Sequence, residues 1–310
     1  MVGLARLREL ALADQVDDRL SKANDQLASI CGLAALAAVA RSRSCNAPFT
    51  IADVRRAVDR IGGKLPHGWS DLFRQLGLFA IADVFYETVR GIADGKHDVA
   101  LAHGQQLIDL ERSTHTFFEP SLQSFFLPAH FLIDFANQVY MNSQFAITVG
   151  FLVWLYLFRN DAFYFVRNMF MAAMGLALIG YALYPTAPPR LFPQYGFTDT
   201  ITDFSGVNHD SALVKVFVNP YAAMPSMHCA FALMIGAAGI RVVRHNWAKL
   251  FWAAWPLLVM WVVVVTANHY WIDVAAGALV AATAAVIAWR LARVRPQAWS
   301  FSTAPSEAQA

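Results

Sequence analysis

Two histidines stand in settings suited to chemistry. His269 precedes Asp273 by four residues in Asn268-His269-Tyr270-Trp271-Ile272-Asp273. On a helix that spacing puts both side chains on one face. A carboxylate bonded to one imidazole nitrogen fixes the tautomer and leaves the other nitrogen free to attack. His228 ends Met224-Pro225-Ser226-Met227-His228, at the start of an apolar run. Pro225 suits a helix start, and the free amides there form an anion-binding nest with the Ser226 hydroxyl. A histidine set against bound phosphate can protonate a departing alkoxide. Arg190, in Tyr184-Pro185-Thr186-Ala187-Pro188-Pro189-Arg190, adds a guanidinium fork that matches phosphate oxygens. Taken singly, each piece has a plainer explanation. His269 and Asp273 could cap a helix, Pro-Ser-x-His could be chance, and Arg190 could meet lipid headgroups. Together they supply a nucleophile, an orienting acid, a general acid and a phosphate clamp. Metal-free phosphoryl transfer needs that set.

The elements that must position these groups are membrane helices. The 310 residues are 57% hydrophobic and 15% charged, with mean hydropathy +0.41. A soluble domain carries about a quarter charged residues, so the composition predicts an all-α, polytopic integral membrane protein whose bilayer is its main partner. A net charge of +2 with no basic stripe argues against nucleic acid as a partner. Cys31, Cys45 and Cys229 form neither a disulfide framework nor a CxxC metal site. No metal or other cofactor is expected.

Residues 1–70 read as a polar, helical extension on the cytoplasmic side. Within it, the apolar run from Leu27 to Ala40 falls short of the roughly 17–25 residues of a span. Residues 71–296 form the membrane-embedded domain, and residues 297–310 a disordered polar tail. Leu72 to Ile92 is the first candidate span, although it carries Arg74, Asp83, Glu87 and Arg90. Ala100 to Glu119 is amphipathic and is expected to lie along the membrane surface. Phe125 to Tyr140, broken by Pro128, His130, Asp134 and Asn137, is not expected to span; if it dips into the membrane, Asp134 and Asn137 could line the site. Clear spans follow at 143–158, 169–184, 227–240, 250–266 and 274–291. A long loop from Pro185 to Ala223 contains His209, a further candidate for substrate contact. His67, His97, His103, His115 and His245 lie outside any motif and read as surface or interfacial.

Charge orients the spans. The turn with Arg159 and Arg167, the turn with Arg241, Arg244 and Lys249, and the end with Arg290, Arg293 and Arg295 share one side by parity. All are basic, which predicts the cytoplasmic side. Arg190, His228 and His269 then fall together on the extracytoplasmic face, with the cell membrane as the expected location.

The order Pro-Pro-Arg, Pro-Ser-x-His, His-x-x-x-Asp resembles the type 2 phosphatidic acid phosphatase superfamily over about Leu72 to Arg295. The resemblance implies a six-helix membrane core and metal-free transfer through a phosphohistidine. It also implies roles: His269 as nucleophile, Asp273 as its partner, His228 as acid, and Ser226 and Arg190 as phosphate ligands. Two positions depart from the phosphatase pattern. Val262 and Val263 stand where Ser-Arg is usual, and Leu183 where a lysine is usual. A dianionic monoester needs more positive charge than a diester, so these losses argue against ordinary phosphomonoester hydrolysis. With Ala-Pro-Pro upstream, His-Tyr-Trp-Ile-Asp is more similar to the branch of inositol phosphorylceramide synthase and, more distantly, sphingomyelin synthases.

The expected activity is cleavage of a lipid phosphate or phosphodiester at the outer face by a lipid phosphatase or phosphotransferase. Transfer of a headgroup between lipids is the alternative, and a non-catalytic transporter or scaffold on the same core is the second.

Overall fold

The computed structural model describes residues 51–92, 97–205 and 223–294. Every regular element among them is helical. The chain divides into two compact units, Met1–Gln75 and Leu76–Ala310. Described residues of the first unit comprise α1 (Ile51–Gly62) and the beginning of α2 (Gly68–Ile92). The Trp69 indole N–H donates to the Val58 carbonyl at 3.1 Å, closing α1 against the start of α2.

The second unit is the helical bundle. After α2 come α3 (His97–Ser113) and α4 (Glu119–Phe126). A continuous helix then runs from His130 to Phe158, made of α5 (His130–Gln138), a π turn (Val139–Ser143) and α6 (Gln144–Phe158). The sequence reading starts this span at Ser143 and does not expect the preceding segment to cross; the structure joins the two in one helix. Asn137 is the reason: its amide donates to the Thr200 carbonyl and accepts from the Thr200 hydroxyl, so its polarity is satisfied within the protein.

α7 (Asn160–Leu183) begins two turns earlier than expected. Arg167 is not in the turn but on this helix, 1% exposed, with its guanidinium bonded to Asn168 and 5.2 Å from the Tyr164 ring. Two 3₁₀ turns, at Pro189–Leu191 and Pro193–Tyr195, precede α8 (Thr200–Ser205). α9 (Met227–Val242), α10 (Asn246–Val265) and α11 (Trp271–Val294) complete the unit. The runs His130–Phe158, α7, α10 and α11 are long and apolar enough to cross a membrane, and α9 is a shorter apolar helix. α2 is not among the four; its Arg74, Asp83, Glu87 and Arg90 explain that.

α9 sits at the centre, packed on α7, α10 and α11. Small residues permit the close approaches, as is usual between helices in lipid. Pro256, inside α10, has no N–H for the Trp252 carbonyl one turn back. That freed carbonyl faces Gly236 of α9, where a Cβ would stand only 2.7 Å away. At one end of the bundle, Arg159 donates to the Val242 carbonyl and ties the α6–α7 turn to the end of α9. The other end gathers the segment after α7, the start of α9 and the α10–α11 turn.

α3 buttresses that second end. Its Ala100, Leu107 and Ile108 form one buried cluster with Ala187, Phe192, Phe197, Ala267 and Tyr270. The apolar face of this amphipathic helix is occupied by the Tyr184–Phe197 segment and the α10–α11 turn. His103 takes part, stacking on Tyr184 at 3.9 Å and pairing with the Pro185 carbonyl at 2.8 Å, so it is a packing residue. Gly104 is required there, because a Cβ would lie 2.7 Å from the Phe192 ring.

Candidate active site

His269 and Asp273 belong to the α10–α11 turn. α10 ends at Val265, and the chain reverses through Thr266, Ala267 and Asn268 before α11 starts at Trp271. Ala267 takes a left-handed φ of 53°, a conformation that costs an L-residue about 1–2 kcal/mol. Bonds from the Asn268 and His269 amides to the Val263 carbonyl close the turn. The four-residue spacing therefore works differently from the helical argument. His269 precedes the helix, and Asp273 lies in its first turn.

Asp273 is fully buried and His269 is 5% exposed. Asp273 Oδ2 accepts the Tyr270 amide at 3.0 Å, capping α11 locally. The same oxygen lies 3.4 Å from His269 Nδ1. That is long for a charge-assisted bond, and Nδ1 has no aligned partner. The pairing directs Nδ1 at the carboxylate and leaves Nε2 on the opposite ring edge.

His228 comes from the first turn of α9. Its ring centroid is 6.0 Å from that of His269, with planes inclined at 56°. Tyr140 stacks on the His228 ring at 4.4 Å, and Gln144 donates to the His228 backbone carbonyl at 3.1 Å. Tyr140 lies within the π turn of the first span, and Gln144 directly follows it. Such one-residue expansions are frequent at functional sites, and this one sets the helical phase of Tyr140.

Ser226 is the N-cap of α9 and fully buried; its hydroxyl accepts the Cys229 amide at 3.5 Å. Its own amide donates to the Asp273 carbonyl at 3.1 Å, joining the head of α9 directly to the first turn of α11. Arg190 lies on the first 3₁₀ turn. Its amide donates to the Ala267 carbonyl at 2.9 Å, and its guanidinium donates to the Asn268 side chain, next to His269. Asp199 stands 4.0 Å from the Arg190 Nε. The structure thus brings Arg190, Ser226, His228, His269 and Asp273 to one end of the bundle.

A family model described as the PAP2 superfamily matches residues 105–287, well over half of the chain. The chain belongs to the PAP2 superfamily. That match begins within α3 and ends within α11, so it takes in every element of this site. No curated protein and no solved structure matches the chain.

Of the remaining sequence candidates, Asn137 is engaged with Thr200, as described above, and Asp134 is exposed. His209 lies outside the described residues. Two contributors had been passed over. Asn268 locks the Arg190 guanidinium beside His269, and its own amide is fixed by the Thr266 hydroxyl at 2.8 Å. Its place directly before the histidine was the available signal. Tyr140 offered none, because a π turn cannot be read from helical periodicity. Burial pushes the Tyr270 phenol above its ordinary range, with Asp273 the next cause, so this residue stays neutral and packs the turn.

Proposed function

We propose that this protein is a membrane enzyme that cleaves a lipid phosphoester through a phosphohistidine. His269 Nε2 attacks phosphorus; the N–P bond forms as the P–O bond to the leaving alcohol breaks. His228 gives its proton to the departing oxygen. His228 then takes a proton from water or an alcohol, which attacks phosphorus and restores His269. Asp273 holds the His269 tautomer and its developing positive charge, while Arg190 and Ser226 bind the equatorial oxygens. One observation carries the reading. A histidine at the head of α9 and one in the α10–α11 turn have ring centroids 6.0 Å apart, with a fully buried carboxylate behind the second.

The bundle end opposite the site carries Arg159, Arg241, Arg244, Lys249, Arg290 and Arg293. The positive-inside rule makes that end cytoplasmic and supports a site on the extracytoplasmic face of the cell membrane. A specific observation also supports headgroup transfer as the second reading. Val262 and Val263 are buried and apolar, so no cation stands where the phosphatases carry one. This weakens the case for a dianionic monoester and favours a phosphodiester of the inositol phosphorylceramide synthase kind.

The deciding experiment uses purified protein in detergent with EDTA, a panel of lipid phosphates and phosphodiesters, and His269→Ala as control. Free phosphate lost in the variant identifies a phosphatase. A new phosphodiester lipid, formed only with an added headgroup donor or alcohol, identifies a transferase. Neither product from folded protein would count against enzymatic function and favour the scaffold reading.

Two further variants test the assigned roles. Arg190→Lys keeps the charge and loses the fork, and kcat/KM is expected to fall about ten- to a hundredfold. Tyr140→Leu removes the ring stacked on His228 and is expected to cost up to about tenfold in kcat. Tyr140→Phe should retain most of the activity. Equal losses in the two Tyr140 variants would show that the hydroxyl matters and the stacking does not.

A further inference from the structure

The α10–α11 turn is gripped by two carboxyl groups that the mechanism does not use. Glu111, on α3, and Glu119, at the start of α4, are both fully buried. Glu119 Oε1 accepts the Trp271 amide at 3.0 Å, and Glu111 Oε1 accepts the Ile272 amide at 3.4 Å. Asp273 takes the Tyr270 amide. Three successive N–H groups at the head of α11 thus end on three different carboxyl groups. A helix N-terminus attracts negative charge, yet its equivalent is only about half an elementary charge. Three buried anions exceed that by far.

The remaining oxygens point to the resolution. Oε2 of Glu111 and Oε2 of Glu119 both lack a donor. Among the described residues neither carboxyl has a lysine, arginine or histidine within salt-bridge distance. Arg112, next in the chain to Glu111, is exposed and lies over the Phe117 and Tyr195 rings. The other titratable groups around the pair are Asp273, with His269 beyond it, Tyr270 and Tyr195. The Glu111 carboxyl is within hydrogen-bond reach of that of Glu119, and two such neighbouring acceptors can be satisfied by one shared proton.

We propose that Glu111 and Glu119 share one proton at neutral pH and, as that single-anion pair, position the head of α11 and with it His269 and Asp273. They act through the Trp271 and Ile272 backbone and are positioning residues. Burial, followed by the charge of Glu119 and the bond to it, pushes the Glu111 carboxyl up to about 9, against the pull of the Ile272 amide. The ordinary value is 4.5. The native protein therefore retains a proton that the unfolded chain releases. This group's contribution to stability falls as pH rises from about 4.5 to 9 and is level above that. The effect on rate rests on the proposed role of His269, whereas the shared proton does not.

The test uses the full-length protein in detergent: wild type, Glu111→Gln, Glu119→Gln and Glu111→Ala. Infrared difference spectra of the wild type should show a buried protonated carboxyl that bleaches near pH 9 and is absent from Glu111→Gln. Relative to Glu111→Gln, the wild-type melting temperature should fall between about pH 5 and 9. In both Gln variants an amide N–H replaces the shared proton, and turnover at pH 7 should stay within about threefold of wild type. Glu111→Ala should lose about a hundredfold in kcat with little change in KM, the signature of a displaced nucleophile. Absence of the titrating carboxyl band would overturn the shared proton, and wild-type kcat in Glu111→Ala would overturn the positioning role. If the wild type turns over no lipid phosphate at all, the phosphoryl-transfer reading fails, and the infrared and melting results still decide the pair.

Discussion

Replacing His269 by Ala is expected to lower turnover by at least about a thousandfold, because the bond-forming atom itself is removed. The nearby alternatives cannot substitute. Cys229 is a fully buried thiol one residue beyond His228 on α9, and Asp273 faces the turn it caps. The fold should survive, since the His269 amide still bonds to Val263 and Asp273 still caps α11. His228→Ala removes a proton donor, which costs about 10²–10⁴-fold and only where the leaving group needs a proton. The two variants should therefore separate on substrate chemistry. A nitrophenyl phosphoester departs without protonation and should restore much of the His228→Ala rate, while His269→Ala stays inactive with every substrate. Rescue of both variants, or of neither, would reject the division of roles. Wild-type turnover in His269→Ala would reject the nucleophile.

Much of this architecture was legible because a bilayer imposes length and hydropathy on whatever crosses it. The apolar runs 143–158, 169–184, 227–240 and 250–266 stand out from the polar connections between them. Chemistry was legible where residue types are rare in such runs: His228 at the head of α9, and His269 with Asp273 beside α11. Polar residues whose partners lie far along the chain were misread. Asn137 argued against a span until Thr200 satisfied its amide, and Arg167 passed for a turn residue although it is buried on α7. Glu111 and Glu119 looked like the polar face of a surface helix. Their acceptors meet the head of α11 more than 150 residues away, at a separation no local pattern encodes. The His269–Asp273 pair was found through a helical spacing rule, yet the structure meets that spacing with a turn closed on Val263.

Gly277→Ala should be the most damaging small change outside the catalytic side chains. A Cβ on Gly277 would overlap the Ser226 carbonyl oxygen and lie 3.2 Å from its carbon and 3.5 Å from the Ala230 amide nitrogen. The obstacle is backbone at the first turn of α9, where the Ser226 carbonyl already accepts the Ala230 amide. It cannot swing aside as a side-chain tip would. The helices must separate, at a cost of roughly 1–3 kcal/mol for overpacking, against a gain of about 1 kcal/mol from helix propensity. Separation also acts on the site. Gly277 is one turn beyond Asp273, and the Ser226 amide bonds to the Asp273 carbonyl. Moving α11 off α9 pulls His269 and Asp273 away from His228 and Ser226, and a shift near 1 Å can cost about a hundredfold in rate. Gly175→Ala is the matched control, because a Cβ there meets nothing within 4 Å and only the propensity gain remains. Gly277→Ala should melt lower than wild type and lose turnover, whereas Gly175→Ala should melt at or above it with full activity. Identical behaviour of the two variants would mean that α9 and α11 do not meet at Gly277, and the His228–His269 geometry built on that contact would fall with it.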